Sequence, residues 1–423
     1  MQKNYQFGLY TVLTTVIIFI VIGGFNLVID PYGVYRLVRI PGVNVYKPVV
    51  YTNSRWAKAQ AIEMIRPRSL VLGDSRTEIG IDPDSVYWRH RTSPSYNLSI
   101  ASGNMQDTLA YFKYANSIVP IKHVILGLDL LMFKAGNNPM QRAGFSWLEG
   151  LQQRPRATDI PKNRTYGLFS LNASKASIQT ILAQHGRDIA PFYANGMRDT
   201  TPLVDRQARV GVKRQFLASE KNFIYRHMYA RTPTGEFLYA AHPMHSPGLD
   251  AFRELLDICV KSNIDIVVFI SPVHARQLEI IRNEGSWDIF EEWERQIVNI
   301  VDLANKQLPK NDAIPLWDFA DYNAITMELP PAIGNKQASM KWYWESSHYK
   351  SAVGEIILEK IFDAKSKKPI LNGFGTPLDK RTIEAHLSEI RRQQQNYANM
   401  FPGEISDVQS LFARPVRKLL PIN

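Results

Sequence analysis

The feature that most constrains this chain is the uncharged, apolar run at residues 7–29. A helix needs about 20 apolar residues to cross the hydrocarbon core of a bilayer, and this run supplies them. A cleaved secretory signal has a shorter apolar core and ends at a small-x-small site, which residues 23–27 do not offer. Residues 1–30 are therefore predicted to form an uncleaved transmembrane helix.

Chain length, charge and cysteine content limit the possible domain organisation, partners and metal sites. The chain has 423 residues, of which 45% are hydrophobic, so one enlarged domain with appendages and two smaller domains are both allowed. Its net charge of +11 favours anionic surfaces such as phospholipid headgroups or acidic glycans. The basic residues follow no nucleic-acid-binding module, so no nucleic acid is expected as a partner. Cys259 is the single cysteine, which excludes an internal disulfide and a Cys-based zinc cluster.

Beyond residue 53 the pattern alternates between helices and strands, which predicts an α/β fold with a mostly parallel sheet and right-handed crossovers. The sequence favours five strands, at residues 69–72, 95–100, 123–128, 264–270 and 314–319. It favours helices at residues 54–64, 104–117, 249–262, 287–307 and 347–362. Helices are expected on both faces of this sheet.

The chain divides into five predicted segments. After the anchor come a connector with a helix at 31–64 and an α/β domain formed by 65–133 and 248–365. Residues 134–247 have a weaker pattern and are predicted to be an insert over the carboxyl edge of the sheet, with helices at 173–185 and 205–219. Residues 366–423 are predicted to be a helical extension, with an amphipathic helix at 379–397.

A serine follows the first predicted strand. Residues 69–76 run from apolar residues into Gly73-Asp74-Ser75, so Ser75 is expected at the carboxyl edge of the sheet, where α/β folds place their chemistry. Gly-Asp-Ser is also ordinary turn composition. Far downstream, Glu345 precedes His348 by three residues. Serine, histidine and carboxylate are the parts of an activated hydroxyl nucleophile, with Ser75 attacking an ester, His348 as general base and Glu345 orienting the imidazole.

Four blocks together resemble the SGNH (GDSL-like) hydrolase superfamily. They are Gly73-Asp74-Ser75, residues 97–103, Gly127-Leu128-Asp129 and Glu345-x-x-His348, and the resemblance covers roughly residues 65–365 apart from the insert. Within that superfamily, the anchor and the order of elements look like the alginate-acetylation type and the D-alanyl-transfer proteins of the Gram-positive envelope. The resemblance implies a five-stranded flavodoxin-like sheet, serine-based acyl chemistry and no cofactor.

The resemblance also implies an oxyanion hole, formed by the backbone N–H groups of Ser75 and Gly103 and by an asparagine after the third strand. This chain has Asp129 at that place, and a carboxylate repels a developing oxyanion unless it is protonated. Asn97 and Asn104 are alternative donors, although both also suit turns. The chain departs a second time at Glu345, where the family usually has the shorter Asp.

Besides Asp129, which is also a candidate for substrate binding, three further residues are such candidates, each with a structural alternative. Arg76 can hold an anionic substrate or form a surface salt bridge. His274 can bind substrate or orient a catalytic group, or it can simply end the fourth strand. Trp344, in a run of aromatic residues, can stack on a sugar ring or be buried.

Metal sites and other nucleophile motifs fit the sequence poorly. Glu345-x-x-His348 matches one half of a carboxylate-bridged di-iron site, but the second copy is missing. His242 and His245 have no carboxylate or cysteine nearby in the sequence. Neither a Gly-x-Ser-x-Gly elbow nor a Walker phosphate loop is present, and no metal site is predicted.

The sequence thus predicts a membrane-anchored serine O-acetyltransferase or esterase acting on an envelope or exported polysaccharide. The expected partners are the membrane, the polysaccharide acceptor and, for transfer, a membrane-bound acyl donor protein. Lys3 on one side and Arg36 and Arg39 on the other leave the orientation open. The resemblance favours the cytoplasmic (inner) membrane with a periplasmic or otherwise extracytoplasmic globular domain. The alternative is a non-catalytic polysaccharide-assembly or binding component with the same fold.

Overall fold

The computed structural model describes residues 2–35, 37–88, 93–134, 168–184, 192–225, 246–363, 365–366 and 368–412. The chain forms two compact units, one of residues 1–66 and 147–193 and one of residues 67–146 and 194–423. The predicted insert, 134–247, is therefore divided between the two units.

The described helices and strands follow the chain in this order. The helices are α1 (Gln2–Ile29), α2 (Pro48–Thr52), α3 (Ser54–Ile65), α4 (Ser75–Gly80), α5 (Met105–Ile118), α6 (Leu171–Leu182), α7 (Thr201–Val210), α8 (Val212–Phe223), α9 (Pro247–Lys261), α10 (Ala275–Asn283), α11 (Trp287–Asn305), α12 (Ser351–Phe362), α13 (Ile383–Met400) and α14 (Pro402–Ser410). The strands are β1 (Ser69–Leu72), β2 (Ser95–Asn97), β3 (His123–Leu128), β4 (Asp265–Ile270), β5 (Leu316–Asp318), β6 (Tyr343–Glu345), β7 (His348–Tyr349) and β8 (Thr376–Pro377).

The first unit contains the apolar helix α1, which is long and apolar enough to cross a membrane. Near its end, Asn26 is buried against α6. Its Nδ2 donates to the Leu168 carbonyl at 2.6 Å, and its Oδ1 accepts from Ser177 Oγ at 2.7 Å. A buried amide needs such partners, so these bonds fix α6 against the last turns of α1.

The second unit is built on a six-stranded sheet in the order β2-β1-β3-β4-β5-β8. The first five strands are parallel, and their order is that of a flavodoxin-like sheet, with a switch point between β1 and β3. The sequence predicted five of the six strands of this sheet and missed β8. β8 pairs antiparallel with β5 at the edge, where a two-residue strand containing a proline can be tolerated.

Apolar side chains fill the space between this sheet and α12. They form a buried cluster with the start of β6 and with β7, which includes Val71, Ile125, Phe269, Phe319, Tyr343, Tyr349, Val353 and Ile357. The central strands are buried along nearly their whole length, as is usual in parallel sheets. The packing holds β6 and β7 close to α4, at the carboxyl edge of β1.

Two predicted helices differ from the structure. The predicted helix at 205–219 is replaced by α7 and α8, because Gly211 between them has φ +82°, a left-handed conformation that ends a helix. The helix predicted to begin at 347 begins at Ser351, since the preceding residues form the β6–β7 hairpin. Helices α10 and α14 were not predicted.

Candidate active site

Ser75 lies where β1 turns into α4. Asp74 caps that helix, since its Oδ1 accepts from the Arg76 backbone N–H at 2.9 Å, and Ser75 is the first helical residue. Gly73 has φ +150°, and a Cβ there would lie 2.7 Å from the Gly127 carbonyl oxygen of β3. Glycine is therefore required for the tight turn that brings Ser75 to the edge of the sheet.

Glu345 and His348 face each other across the β6–β7 hairpin. They are paired in its register, with two serines forming the turn. The three-residue spacing thus comes from a hairpin and not from a helix. His348 Nε2 lies 2.7 Å from Ser75 Oγ, and His348 Nδ1 is hydrogen-bonded to Glu345 Oε1. The structure brings the three predicted catalytic residues together in one hydrogen-bonded line.

The second oxygen of Glu345 is held as well. Glu345 Oε2 accepts from the Ser347 backbone N–H at 2.9 Å and from the Ser219 hydroxyl on α8. Burial raises the pKa of Glu345, but the charge of His348 and the hydrogen bonds from His348, Ser219 and Ser347 outweigh burial and lower this pKa below its usual value. The buried carboxylate is therefore ionised and fixed from both sides. The longer Glu side chain reaches the imidazole without difficulty.

Ser219 was missed by the sequence analysis. It is one serine in the middle of an amphipathic helix, more than a hundred residues from Glu345, and no local pattern marks it. Its contact with Glu345 depends on the packing of α8 against the hairpin and is seen only in the structure.

If the site hydrolyses esters, replacing Ser219 with alanine is expected to lower kcat by about 10- to 150-fold, because a hydrogen bond to a charged group is worth about 1.5–3 kcal/mol. It should also raise the pKa of Glu345, since one of the bonds that stabilise the ionised form is lost. A pH profile of ester hydrolysis measures both effects. Ser117→Ala on α5, which removes a hydroxyl bonded to the Tyr114 carbonyl, is the matched control. An unchanged profile for Ser219→Ala would assign this hydroxyl a purely local role.

Arg76 lies between two carboxylates beneath the nucleophile. Its Nη1 is 2.5 Å from Asp74 Oδ2 and 3.1 Å from Asp129 Oδ1, and the side chain is buried. Burial alone would lower the pKa of Arg76, but Asp129 and Asp74 raise it, so the guanidinium stays charged. The structure confirms the salt bridge considered for Arg76, except that the bridge is buried and not at the surface.

Asp129 directly follows β3 and caps the short 3-10 helix at 130–133. Its Oδ1 accepts from the Leu131 backbone N–H at 2.9 Å, in addition to the contact with Arg76. Burial raises the pKa of Asp129 to about 6, although Arg76 opposes this shift. At neutral pH the residue is thus mostly a carboxylate paired with Arg76.

A pH-dependent stability follows from this pKa. The folded chain binds the Asp129 proton more tightly than the unfolded chain, so the stability that this proton contributes is lost as the pH rises through about 6. Asp129→Asn stays neutral at every pH. Its free energy of unfolding relative to the parent chain should therefore rise between about pH 4 and pH 7, by about 1–3 kcal/mol.

Urea unfolding at several pH values measures this difference. Asp250→Asn, which removes an exposed carboxylate paired with Arg253, is the control. A constant difference for Asp129→Asn would mean that Asp129 titrates at its ordinary value in the folded chain.

Asn97 is fully buried and serves the fold. Its Nδ2 donates to the Thr77 and Ile81 carbonyls, each at 2.9 Å, and its Oδ1 accepts from the Ser99 N–H at 3.1 Å. These bonds fasten the end of α4 to β2. Because both amide hydrogens are engaged, Asn97 does not offer a donor to an oxyanion.

The other predicted oxyanion donors differ in whether their N–H groups already have a hydrogen-bond acceptor. The Gly103 N–H donates to the Ile100 carbonyl at 2.8 Å, and the Asn104 side chain caps α5 by accepting from the Asp107 N–H at 2.8 Å. Ser75 is the first residue of α4, where a backbone N–H has no acceptor within the helix. Of these candidates, the Ser75 N–H fits the role best.

His274 is buried, and both of its ring nitrogens are used. Nε2 donates to the Glu328 carbonyl at 2.6 Å, and Nδ1 accepts from the Arg276 N–H at the start of α10. Burial lowers the pKa of His274 to about 3, so the ring stays neutral. The backbone N–H of His274 donates to the Ser346 carbonyl in the hairpin turn at 3.1 Å. The structure favours the structural interpretation of His274 over substrate binding.

Trp344 lies in β6 beside the triad and is only partly buried. The Lys350 ammonium lies 4.5 Å from its ring centroid, and the Trp344 carbonyl accepts from Gln207 Nε2 at 2.8 Å. A partly exposed indole in the residue before Glu345 keeps stacking on a sugar ring as a hypothesis.

The two histidines considered for metal binding in the sequence, His242 and His245, lie outside the described residues. Comparison with known proteins adds no assignment, because no family model matches this chain and no curated protein matches it significantly. The interpretation of the site depends on its own geometry.

Proposed function

We propose that this protein is a membrane-anchored serine O-acyltransferase or esterase of SGNH type, which acts on acetyl esters of an envelope or exported polysaccharide. One observation carries the proposal. The His348 imidazole is hydrogen-bonded to Ser75 Oγ on one side and to the buried, ionised Glu345 on the other. Such a line activates a hydroxyl that would otherwise be a weak nucleophile.

The reaction proceeds in two halves. Ser75 Oγ attacks the acyl carbonyl while its proton moves to His348 Nε2, and Glu345 stabilises the imidazolium that forms. The ester bond to the donor alkoxide then breaks, and His348 returns the proton to that alkoxide. A sugar hydroxyl or water next gives its proton to His348 and attacks the acyl-Ser75 ester, which releases the product and restores the serine.

Membrane attachment supports a substrate located at the membrane surface. Besides α1, helix α6 in the same unit exposes Leu171, Ile178 and Leu182, which are spaced to share one face. Exposed apolar side chains on a helix bound to the end of a spanning helix suit the lipid interface. A polymer emerging from the membrane is reached more easily from this position than a soluble ester.

The full-length chain is expected to stay in membranes after alkaline carbonate extraction, with its larger unit outside the cytoplasm. The apolar helix α1 supplies the physical reason. Protease added to intact spheroplasts should digest the larger unit, while a cytoplasmic marker protein in the same sample survives. Complete protection of the larger unit would contradict the proposed orientation.

A covalent trap tests the proposed chemistry. A fluorophosphonate should phosphonylate Ser75, and mass spectrometry should find the adduct on the tryptic peptide of residues 69–76. In a separate assay, the protein should hydrolyse 4-nitrophenyl acetate.

The engaged Gly103 N–H and the carboxylate of Asp129 favour the second candidate, a non-catalytic polysaccharide-binding protein. Absence of both adduct and hydrolysis would favour that candidate.

A further inference from the structure

A second cluster of ionisable side chains lies at the end of β5, apart from the triad. It consists of Glu294 on α11, Asp318 at the last position of β5 and His386 on α13. One ligand-type atom from each residue lies within 4.8 Å of the other two. All three residues are buried, with relative exposures of 0%, 0% and 7%. Three separate elements therefore direct metal-ligand groups to one enclosed point.

The Glu294 carboxylate is the unusual member of this cluster. In the described part of the chain neither of its oxygens has a hydrogen-bond partner, and both are inaccessible to solvent. The neighbouring Arg295 does not neutralise it, because its guanidinium turns outward to Glu384 at 2.7 Å and to Glu291. A buried, unpaired carboxylate is strongly unfavourable, so this position requires a cation or a proton.

The other two residues are oriented as ligands usually are. Asp318 Oδ1 accepts from the Ala320 backbone N–H at 2.8 Å, which fixes the plane of the carboxylate. Asp318 Oδ2 lies 2.6 Å from His386 Nε2. Within the described residues, neither Glu294 nor Asp318 forms an ion pair with a lysine or arginine. A third buried carboxylate, Asp321, follows Asp318 by three residues and adds negative charge nearby.

We propose that Glu294, Asp318 and His386 bind one divalent transition-metal ion, with Zn²⁺ as the preferred ion. Two carboxylates and one imidazole form a donor set that suits zinc, and the short approach of His386 to Asp318 needs only a small adjustment to admit an ion. The enclosure excludes substrate, so the ion is structural. It joins the end of β5 to α11 and α13 and replaces a proton at Glu294.

The test uses the full-length protein in detergent, stripped with EDTA and dialysed into metal-free buffer. Zn²⁺, Mn²⁺ or Mg²⁺ is then added in separate samples, excess ion is removed, and metal content is measured by plasma mass spectrometry. We expect about one zinc per chain, a higher melting temperature with zinc than without, and little retention of Mg²⁺. Co²⁺ in place of zinc should add visible absorption bands of a four- or five-coordinate site.

Glu294→Gln distinguishes a bound metal ion from a proton on the Glu294 carboxylate. If an ion is bound, the variant should bind zinc at least about 100-fold more weakly and melt at the temperature of the stripped parent chain, whether or not zinc is added. Glu384→Gln, an exposed change on α13, should bind zinc as the parent does. If Glu294→Gln does not fold, His386→Gln provides the comparison of zinc affinity, and zinc retention by the parent chain decides between the two interpretations.

Two results would overturn the proposal. In the first, the parent chain retains less than a tenth of a zinc per chain after these steps. In the second, EDTA leaves its melting temperature unchanged while Glu294→Gln melts at or above the parent temperature. Either result would identify the cluster as a proton-sharing contact, because a neutral glutamine is close in shape to a protonated glutamate.

Discussion

Replacing Ser75 with alanine is expected to reduce acetyl-ester hydrolysis and acyl transfer by about 10⁴- to 10⁶-fold, since it removes the atom that would form the covalent intermediate. The hydroxyl adds little packing, so the free energy of unfolding should change by less than about 0.5 kcal/mol. Initial rates with 4-nitrophenyl acetate, together with the acetyl content of the polymer in cells, measure the effect.

Two comparisons make this experiment specific. Glu345→Gln should lower the rate less, by about 10²- to 10⁴-fold, because the base remains while its orientation and charge compensation are lost. Ser117→Ala on α5 should leave the rate unchanged. Activity that survives in Ser75→Ala would reject Ser75 as the nucleophile and make the non-catalytic function the better account.

Replacing Arg276 with methionine is expected to cost about 3–5 kcal/mol of stability, the largest loss predicted for one substitution. Arg276, on α10, is fully buried and binds both oxygens of Glu220 on α8 at 2.7 and 2.8 Å. It also contacts Glu404 and, at 2.9 Å, Asp407 on α14. Methionine fills a similar volume but leaves Glu220 as an unpaired charge in the interior. Urea unfolding measures the loss.

Arg295→Met is the matched control for this change. Arg295 also pairs with several carboxylates, among them Glu384, but it lies at the surface, where an ion pair is worth about 0–1 kcal/mol. Equal losses for the two variants would show that burial does not determine the strength of these pairs. Because Glu220 is adjacent to Ser219, the Arg276 variant should also lower kcat, which the Arg295 variant should not.

The parallel strands could be predicted because their signal is local. Apolar, β-branched runs bounded by turns located β1, β3 and β4 to within one residue of their observed bounds. β8 and the β6–β7 hairpin are only two or three residues long, which is too short for any periodicity. Long-range pairing with β5 creates β8, and a single sequence does not reveal such pairing.

The same distinction applies to the candidate site. Ser75, Glu345 and His348 could be identified from their residue types and spacing, since both motifs are compact in the sequence. Ser219 could not, because its contact depends on how α8 packs. For Arg76 a salt bridge was predicted, but its burial was not, because nothing in the sequence next to Ser75 indicates that Asp74 and Asp129 enclose the guanidinium.

The two-residue turn between Glu345 and His348 has a consequence for the newly made chain. The base and its carboxylate belong to one hairpin, a contact that closes locally and quickly. Ser75 lies 273 positions earlier, and it meets His348 only after the intervening parallel strands have assembled. A polypeptide still being synthesised thus carries Ser75 without His348. Under the proposed function, it stays inert toward the esters around it until the segment bearing His348 has emerged and docked.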